Sequence, residues 1–194
     1  MTFPLPHPSC RKILGAWLLS IPAILAPLAA AAQDLHSEAA VKAALVYNFA
    51  KFVDWPLRAF NDAHAPLTLC IYREGNSDMR LSLAAFAGKT AQGREIAVRG
   101  GVSLRDLGGC QVLYIPGNTE RWLPELLRAA HAQHILTVSD MDDFVDNGGA
   151  IELLVVDNQR HFAINLDAVH QAGLKMSSQL LKLARIVKGQ TGRN

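Results

Sequence analysis

With 194 residues, half of them apolar and 19% charged, the chain has material for one well-buried α/β-sized domain and too little polar excess for disorder beyond its ends. Its formal net charge of +2 falls to zero when Arg11 and Lys12, the only charged residues before Gln33, are set aside with a leader. A neutral chain without a Lys/Arg cluster lacks the footprint of a nucleic-acid binder and the polybasic stripe of a membrane-surface helix.

The leader occupies residues 1–32: Arg11-Lys12 precede an apolar run from Ile13 to Ala26, and the small residues Ala29–Ala32 follow. This is the signature of a secretory signal peptide cut after Ala32. Pro22 and Pro27 argue against a retained anchor. Cys10 precedes the apolar run, so no cysteine stands where a lipid-anchor signal needs one. The mature product is expected to be exported, with no direct membrane insertion, as a single domain over 33–188 and a loose tail at 189–194.

Gln33–Ser37 reads as a polar lead-in, with Ser37 as N-cap of a helix. Val41, Ala44, Leu45, Asn48, Phe49 and Phe52 recur at helical spacing, so this face is expected to be buried and the helix to stop near Asp54, ahead of Pro56. Trp55 is left at a corner. Leu67–Tyr72 reads as a buried strand, Ser77–Phe86 as a modest helix closed by Gly88, and Arg94–Arg99 as a strand broken by Gly100-Gly101. Cys110–Ile115 is a second apolar strand. Thr119 is expected to cap a helix to about His131 that buries Trp122, Leu123, Leu126, Leu127 and Ala130. His134–Val138 is a third strand, after which Ser139 caps one or two helical turns stopped by Asn147-Gly148-Gly149.

Ile151–Val156 and Arg160–Asn165 flank Asp157-Asn158-Gln159 as a tight hairpin. A short helix then ends at Gly173, and Ser177 caps a last helix with Leu180, Leu181, Leu183, Ala184 and Val187 as its apolar positions. Helices interleaved with short apolar strands predict an α/β fold: a largely parallel sheet covered on both faces, with the hairpin as an antiparallel edge.

The exported chain keeps two cysteines, Cys70 and Cys110. An oxidising compartment and an even count favour a bridge closing a loop of about forty residues, with a buried pair of free thiols as the competing reading. No cofactor or metal site is expected. There is no Gly-rich phosphate motif, nucleophile elbow or His-Glu-x-x-His helix, and the acids Asp140, Asp142, Asp143 and Asp146 do not match a calcium loop. Tyr47, Lys51 and Trp55 are candidates for partner contact, being an aromatic anchor among polar residues. Arg160, Asn165 and Lys175, with His161 nearby, are candidates for a small anion pocket.

Three blocks then carry a likeness. Val41–Pro56 (VKAALVYNFAKFVDWP), Ile135–Asp140 (ILTVSD) with Phe144 and Gly148-Gly149, and Phe162–Leu166 (FAINL) through Gly173–Ala184 (GLKMSSQLLKLA) resemble the YfiR family of periplasmic proteins. The resemblance implies a Rossmann-like domain, often dimeric and without enzymatic activity. It also implies a periplasmic repressor that holds the sensor domain of an inner-membrane diguanylate cyclase inactive, limiting cyclic di-GMP and biofilm, and that an outer-membrane OmpA-like lipoprotein can sequester. Cys70 and Cys110 are similar in position to a redox-sensitive cysteine pair in the best-known member. That member's second pair, in its C-terminal half, has no counterpart, because Val145 and Glu152 occupy the region. A small-molecule sensor acting on a neighbouring histidine kinase or cyclase is the alternative function.

Overall fold

The computed structural model describes residues 27–73, 77–156 and 159–187, with side chains from Glu38 onward except Glu120. Most of the leader, the hairpin residues Asp157-Asn158 and the tail lie outside the described residues, and the cut expected after Ala32 falls within the first helix. That helix, α1 (Pro27–Lys51), carries Ser37 in its interior instead of at its N-cap. It stops three residues before Asp54, because Val53–Asp54 already forms a short strand, β1, paired with β9 (Lys175–Met176). The Gln92 side-chain amide closes the helix end by donating to the carbonyls of Lys51 (2.8 Å) and Val53 (3.3 Å).

The buried face of α1 is not the one the large residues suggest. Ala39, Ala43, Val46, Phe49 and Ala50 are buried, whereas Val41 is 38% exposed and Asn48 faces solvent. The alanines bring the helix backbone close to the sheet, so small side chains set the phase of the stripe.

The main sheet has eight strands in the order β10 (Arg185–Val187), β8 (Gln159–Asn165), β7 (Ile151–Val156), β6 (Leu136–Ser139), β5 (Val112–Ile115), β2 (Leu67–Tyr72), β4 (Arg94–Val102) and β3 (Thr90–Ala91). All neighbours are parallel except the hairpin β7–β8 and the pair β3–β4. Side chains of a strand alternate between faces. Leu67, Leu69 and Ile71 of β2, Val112 and Tyr114 of β5, and Leu136 and Val138 of β6 therefore enter one core. That core lies beneath α1, α2 (Ser77–Ala84), α4 (Leu166–Gln171) and α5 (Ser178–Leu181). Cys70, Tyr72, Leu113 and Ile115 enter the other, beneath α3 (Leu123–Ala132) and the 140–149 turn. A strand buried on both sides reads as a near-continuous apolar run, which is the pattern of Leu67–Tyr72 with Thr68 as its one small polar residue.

Several expectations are corrected. β4 runs through Gly100-Gly101 instead of breaking, because an extra residue is accommodated there: Cys70 pairs with Arg99 but Tyr72 with Val102, and Gly101 takes φ +72°. α3 begins after a short 3₁₀ turn, so Trp122 is 47% exposed, and Thr119 donates to the Pro116 carbonyl without capping. Ser139 ends β6, where its Oγ accepts the Met141 N–H, and non-helical turns follow.

The last helix is only α5. Ser177 caps it as expected (Oγ to Leu180 N, 3.3 Å), but 185–187 forms β10, parallel to β8, and Leu183 is 74% exposed. The β-branched pair Ile186-Val187 finds ladder partners on β8, so the hairpin is interior and β10 is the edge.

Candidate functional site

Tyr47 and Lys51, one turn apart on α1, lie together. The half-buried Tyr47 ring stacks on Phe86 with centroids 4.6 Å apart, and its hydroxyl donates to the Thr90 carbonyl at 3.0 Å. Lys51 Nζ sits 5.5 Å from the Tyr47 ring centre and Lys89 Nζ 4.6 Å from that of Phe86. Two stacked rings flanked by ammonium groups of exposed lysines form a compact aromatic and cationic face.

Trp55 is separate. It is half-buried, packs against the core, and donates from Nε1 to the Gln111 carbonyl at 3.2 Å. Beside it, Leu57 is 85% exposed. Arg58 Nε donates to His134 Nε2 at 2.7 Å, while His134 Nδ1 lies 2.7 Å from the Ala172 carbonyl.

Gln111 carries no motif that singles it out in the sequence, yet it organises this corner. It is 2% exposed, its Oε1 accepts the Thr68 N–H (2.8 Å), and its Nε2 donates to the Ala59 carbonyl (2.7 Å). Its backbone carbonyl accepts from both Trp55 and Leu136 N–H. An amide beside a cysteine at the head of an apolar strand is the available signal, since a polar group placed there needs partners.

Arg160, Asn165 and Lys175 are not brought together. Asn165 is buried at the far end of β8, where its Oδ1 caps α4 through Ala168 N and its Nδ2 donates to the Val145 carbonyl. Lys175 is exposed on β9. Arg160 instead borders a cleft of about 230 Å³ with Glu38, Lys42 and Asp140, just past the carboxyl end of β6 and walled by Leu153–Val155 of β7. Lys42 pairs with both Glu38 (2.8 Å) and Asp140, fastening α1 to the end of β6.

The hydrogen bond from Lys42 holds the Glu38 carboxyl below its ordinary value. Burial acts against the Lys42 ammonium, but its bonds to Asp140 and Glu38 outweigh burial and raise it. Burial first, then the charge of Asp140, keeps the Tyr114 phenol protonated far above the ordinary tyrosine range. The charges are spent on one another, which suits a clamp.

Cys70 and Cys110 form a disulfide with Cα atoms 5.8 Å apart, joining β2 to the residue before the β5 approach. Val145 and Glu152 are bonded to each other: the Val145 N–H donates to Glu152 Oε2 at 3.1 Å. Glu152 is 3% exposed, and burial raises its carboxyl against the pull of that N–H and of Arg185, with Asp143 and Asp146 adding to the rise.

The folded protein therefore holds this proton more tightly than the unfolded chain does. The contribution is complete below the ordinary glutamate value of about 4.3 and is lost as pH climbs through the raised value. Glu152→Gln, which keeps an acceptor for Val145 and carries no charge, is expected to raise Tm at neutral pH and to flatten the decline above pH of about 4.3. Parallel Tm–pH curves for the two proteins would refute the assignment.

Among the described residues no helix is long and apolar enough to cross a membrane, and no cluster of three or more His, Cys, Asp or Glu could hold a metal ion. A mostly parallel sheet covered by helices and turns on both faces defines an α/β domain. A family model described as YfiR/HmsC-like matches residues 39–185, and the chain belongs to that family. Among solved structures, the chain is similar to a conserved domain protein from Vibrio cholerae O1 biovar El Tor strain N16961 at 12% identity and a TM-score of 0.45. That match covers 62% of this chain and 54% of the other, so the chain spans about half the length of that protein.

Proposed function

We propose that this protein is a periplasmic, non-enzymatic repressor that binds the periplasmic sensor domain of an inner-membrane diguanylate cyclase and thereby lowers cyclic di-GMP and biofilm formation. The family match over 39–185 carries the reading. The docking face is the one around Tyr47 and Lys51, extended by Phe86 and Lys89, with the Trp55 corner and the β7–β8 hairpin as flanking contacts. Rigid rings rimmed by cations give a partner apolar area at little entropic cost and a charge pattern to select against wrong partners. Sequestration by an outer-membrane OmpA-like lipoprotein and self-association into a dimer belong to the same proposal.

The test is co-purification of the exported protein with the cyclase's periplasmic domain, alongside cyclic di-GMP measured in a deletion strain. The joint substitution Lys51→Glu and Lys89→Glu, both at exposed positions, is expected to weaken binding about tenfold or more with Tm unchanged. No association, together with unchanged cyclic di-GMP on deletion, would overturn the proposal.

A further inference from the structure

Two arginines near the amino ends of β2 and β5 are held by neutral groups. Arg99 donates from Nη1 to the Gly108 carbonyl (2.7 Å) and from Nη2 to the Asp106 carbonyl (2.9 Å). Arg94 donates from Nη1 to the Ala65 carbonyl (2.6 Å), and its guanidinium lies 3.7 Å from the centre of the Phe60 ring. Neither is within ion-pair distance of an acid among the described residues, where the ion pairs involve only Lys42 and Arg160 as cations. The Asp106 carboxylate is instead engaged by Ser103 Oγ at 2.6 Å, and Asp62 Oδ1 accepts the His64 N–H at 2.7 Å.

A carbonyl orients a guanidinium without cancelling its charge, whereas a carboxylate does both. An arginine has five N–H donors, so two carbonyl bonds leave others for a ligand. A cavity of about 230 Å³ is lined by Phe60, Asn61, Thr68, Arg99 and the Gly108-Gly109 turn without a single acidic side chain, and Arg94 covers the Phe60 ring that forms its wall. Gly109, at φ +79°, lets the chain turn tightly there, and a Cβ at that position would lie 3.8 Å from Arg99 Nη1. The result is a concave pocket with one aromatic wall and, at its rim, the exposed Arg99 guanidinium, oriented by two carbonyls and outside ion-pair distance of any acid among the described residues, an arrangement suited to a planar oxyanion.

We propose that this cavity is a binding site for a small organic oxyanion, a carboxylate-bearing compound whose acid group lies against Arg99 and whose body lies along Phe60. The pocket walls join two regions already described. Gln111 lines it and holds Ala59, so an occupant cross-braces the corner carrying Trp55 and Leu57 to the loop that leads into the disulfide. The site is separate from the aromatic face of the proposed docking surface.

The purified full-length protein is titrated calorimetrically with succinate, citrate and inorganic phosphate at ionic strength matched by chloride, and Tm is followed in parallel. A saturable heat with at least one organic carboxylate, accompanied by a rise in Tm, is expected. Arg99→Gln, which keeps amide donors but carries no charge, is expected to weaken binding about tenfold. Arg128→Gln, at an exposed position on α3, should leave binding unchanged. Saturation by phosphate but not by carboxylates, no saturable heat with any probe, or equal affinity in Arg99→Gln and the parent protein would each overturn the site. Cyclase binding plays no part in these readouts, so the docking proposal stands or falls separately.

Discussion

Replacing both cysteines of the 70–110 bridge by alanine is expected to remove about 4 kcal/mol of stability, the loop-closure entropy for a separation of 40 residues. The bridge joins two sulfurs that are buried in the α3-side core, at 1% and 2% exposure, so the substitution also costs packing. Denaturant unfolding of the double alanine variant against the oxidised parent measures the sum. Reductant should reproduce most of the loss in the parent and none of it in the variant. A difference under about 1 kcal/mol would mean that the reduced chain is already constrained to the same extent.

A second large effect is centred on Phe144, fully buried beneath the 140–149 turn. Gly149 folds directly over its ring: a Cβ there would fall inside the van der Waals envelope of the ring carbons, and the Gly149 N–H bonds the Phe144 carbonyl at 2.8 Å. Phe144→Ala is expected to cost about 3–5 kcal/mol through lost burial and the cavity left behind. Gly149→Ala is expected to cost about 1–3 kcal/mol or more, because the ring has no space to yield. The pair should be strongly non-additive, since removing the ring opens room for the new methyl group. Additive losses in the double variant would show that the clash is relieved by backbone movement instead.

The strands are legible because burial on both faces leaves few polar interruptions: Leu67–Tyr72, with only Thr68, and the apolar core of Cys110–Ile115, after Gln111, announce themselves by composition. Boundaries are less so. Val53 and Asp54 fit the helical spacing of α1, and only the distant Lys175–Met176 segment draws them into a ladder. The phase of α1 is hidden because Ala39, Ala43 and Ala50 carry little hydrophobic weight and yet determine how near the helix lies to the sheet. Gly100-Gly101 reads as a stop and is a bulge, a distinction that depends on the partner strand.

The segment after α5 shows the same limit, since Leu183 to Val187 satisfies a helical pattern locally and is claimed by β8 through long-range pairing. For the sites, Tyr47 and Lys51 are readable as neighbours from their spacing on one helix. Phe86, Lys89, Arg94 and Arg99 are not, because what unites them is contact between elements far apart in the chain. Arg160, Asn165 and Lys175 illustrate the converse: nearness in sequence along a hairpin and its following turn says little when a strand alternates faces and extends about 3.3 Å per residue.

Gln111 ties the Trp55 corner and Ala59 to three neighbouring strands through one residue. Its main-chain oxygen receives Trp55 and Leu136 together, while its amide grips Thr68 and Ala59. A molecule that levers the indole outward therefore pulls on three strands at a single residue, so the corner behaves as a handle on the sheet.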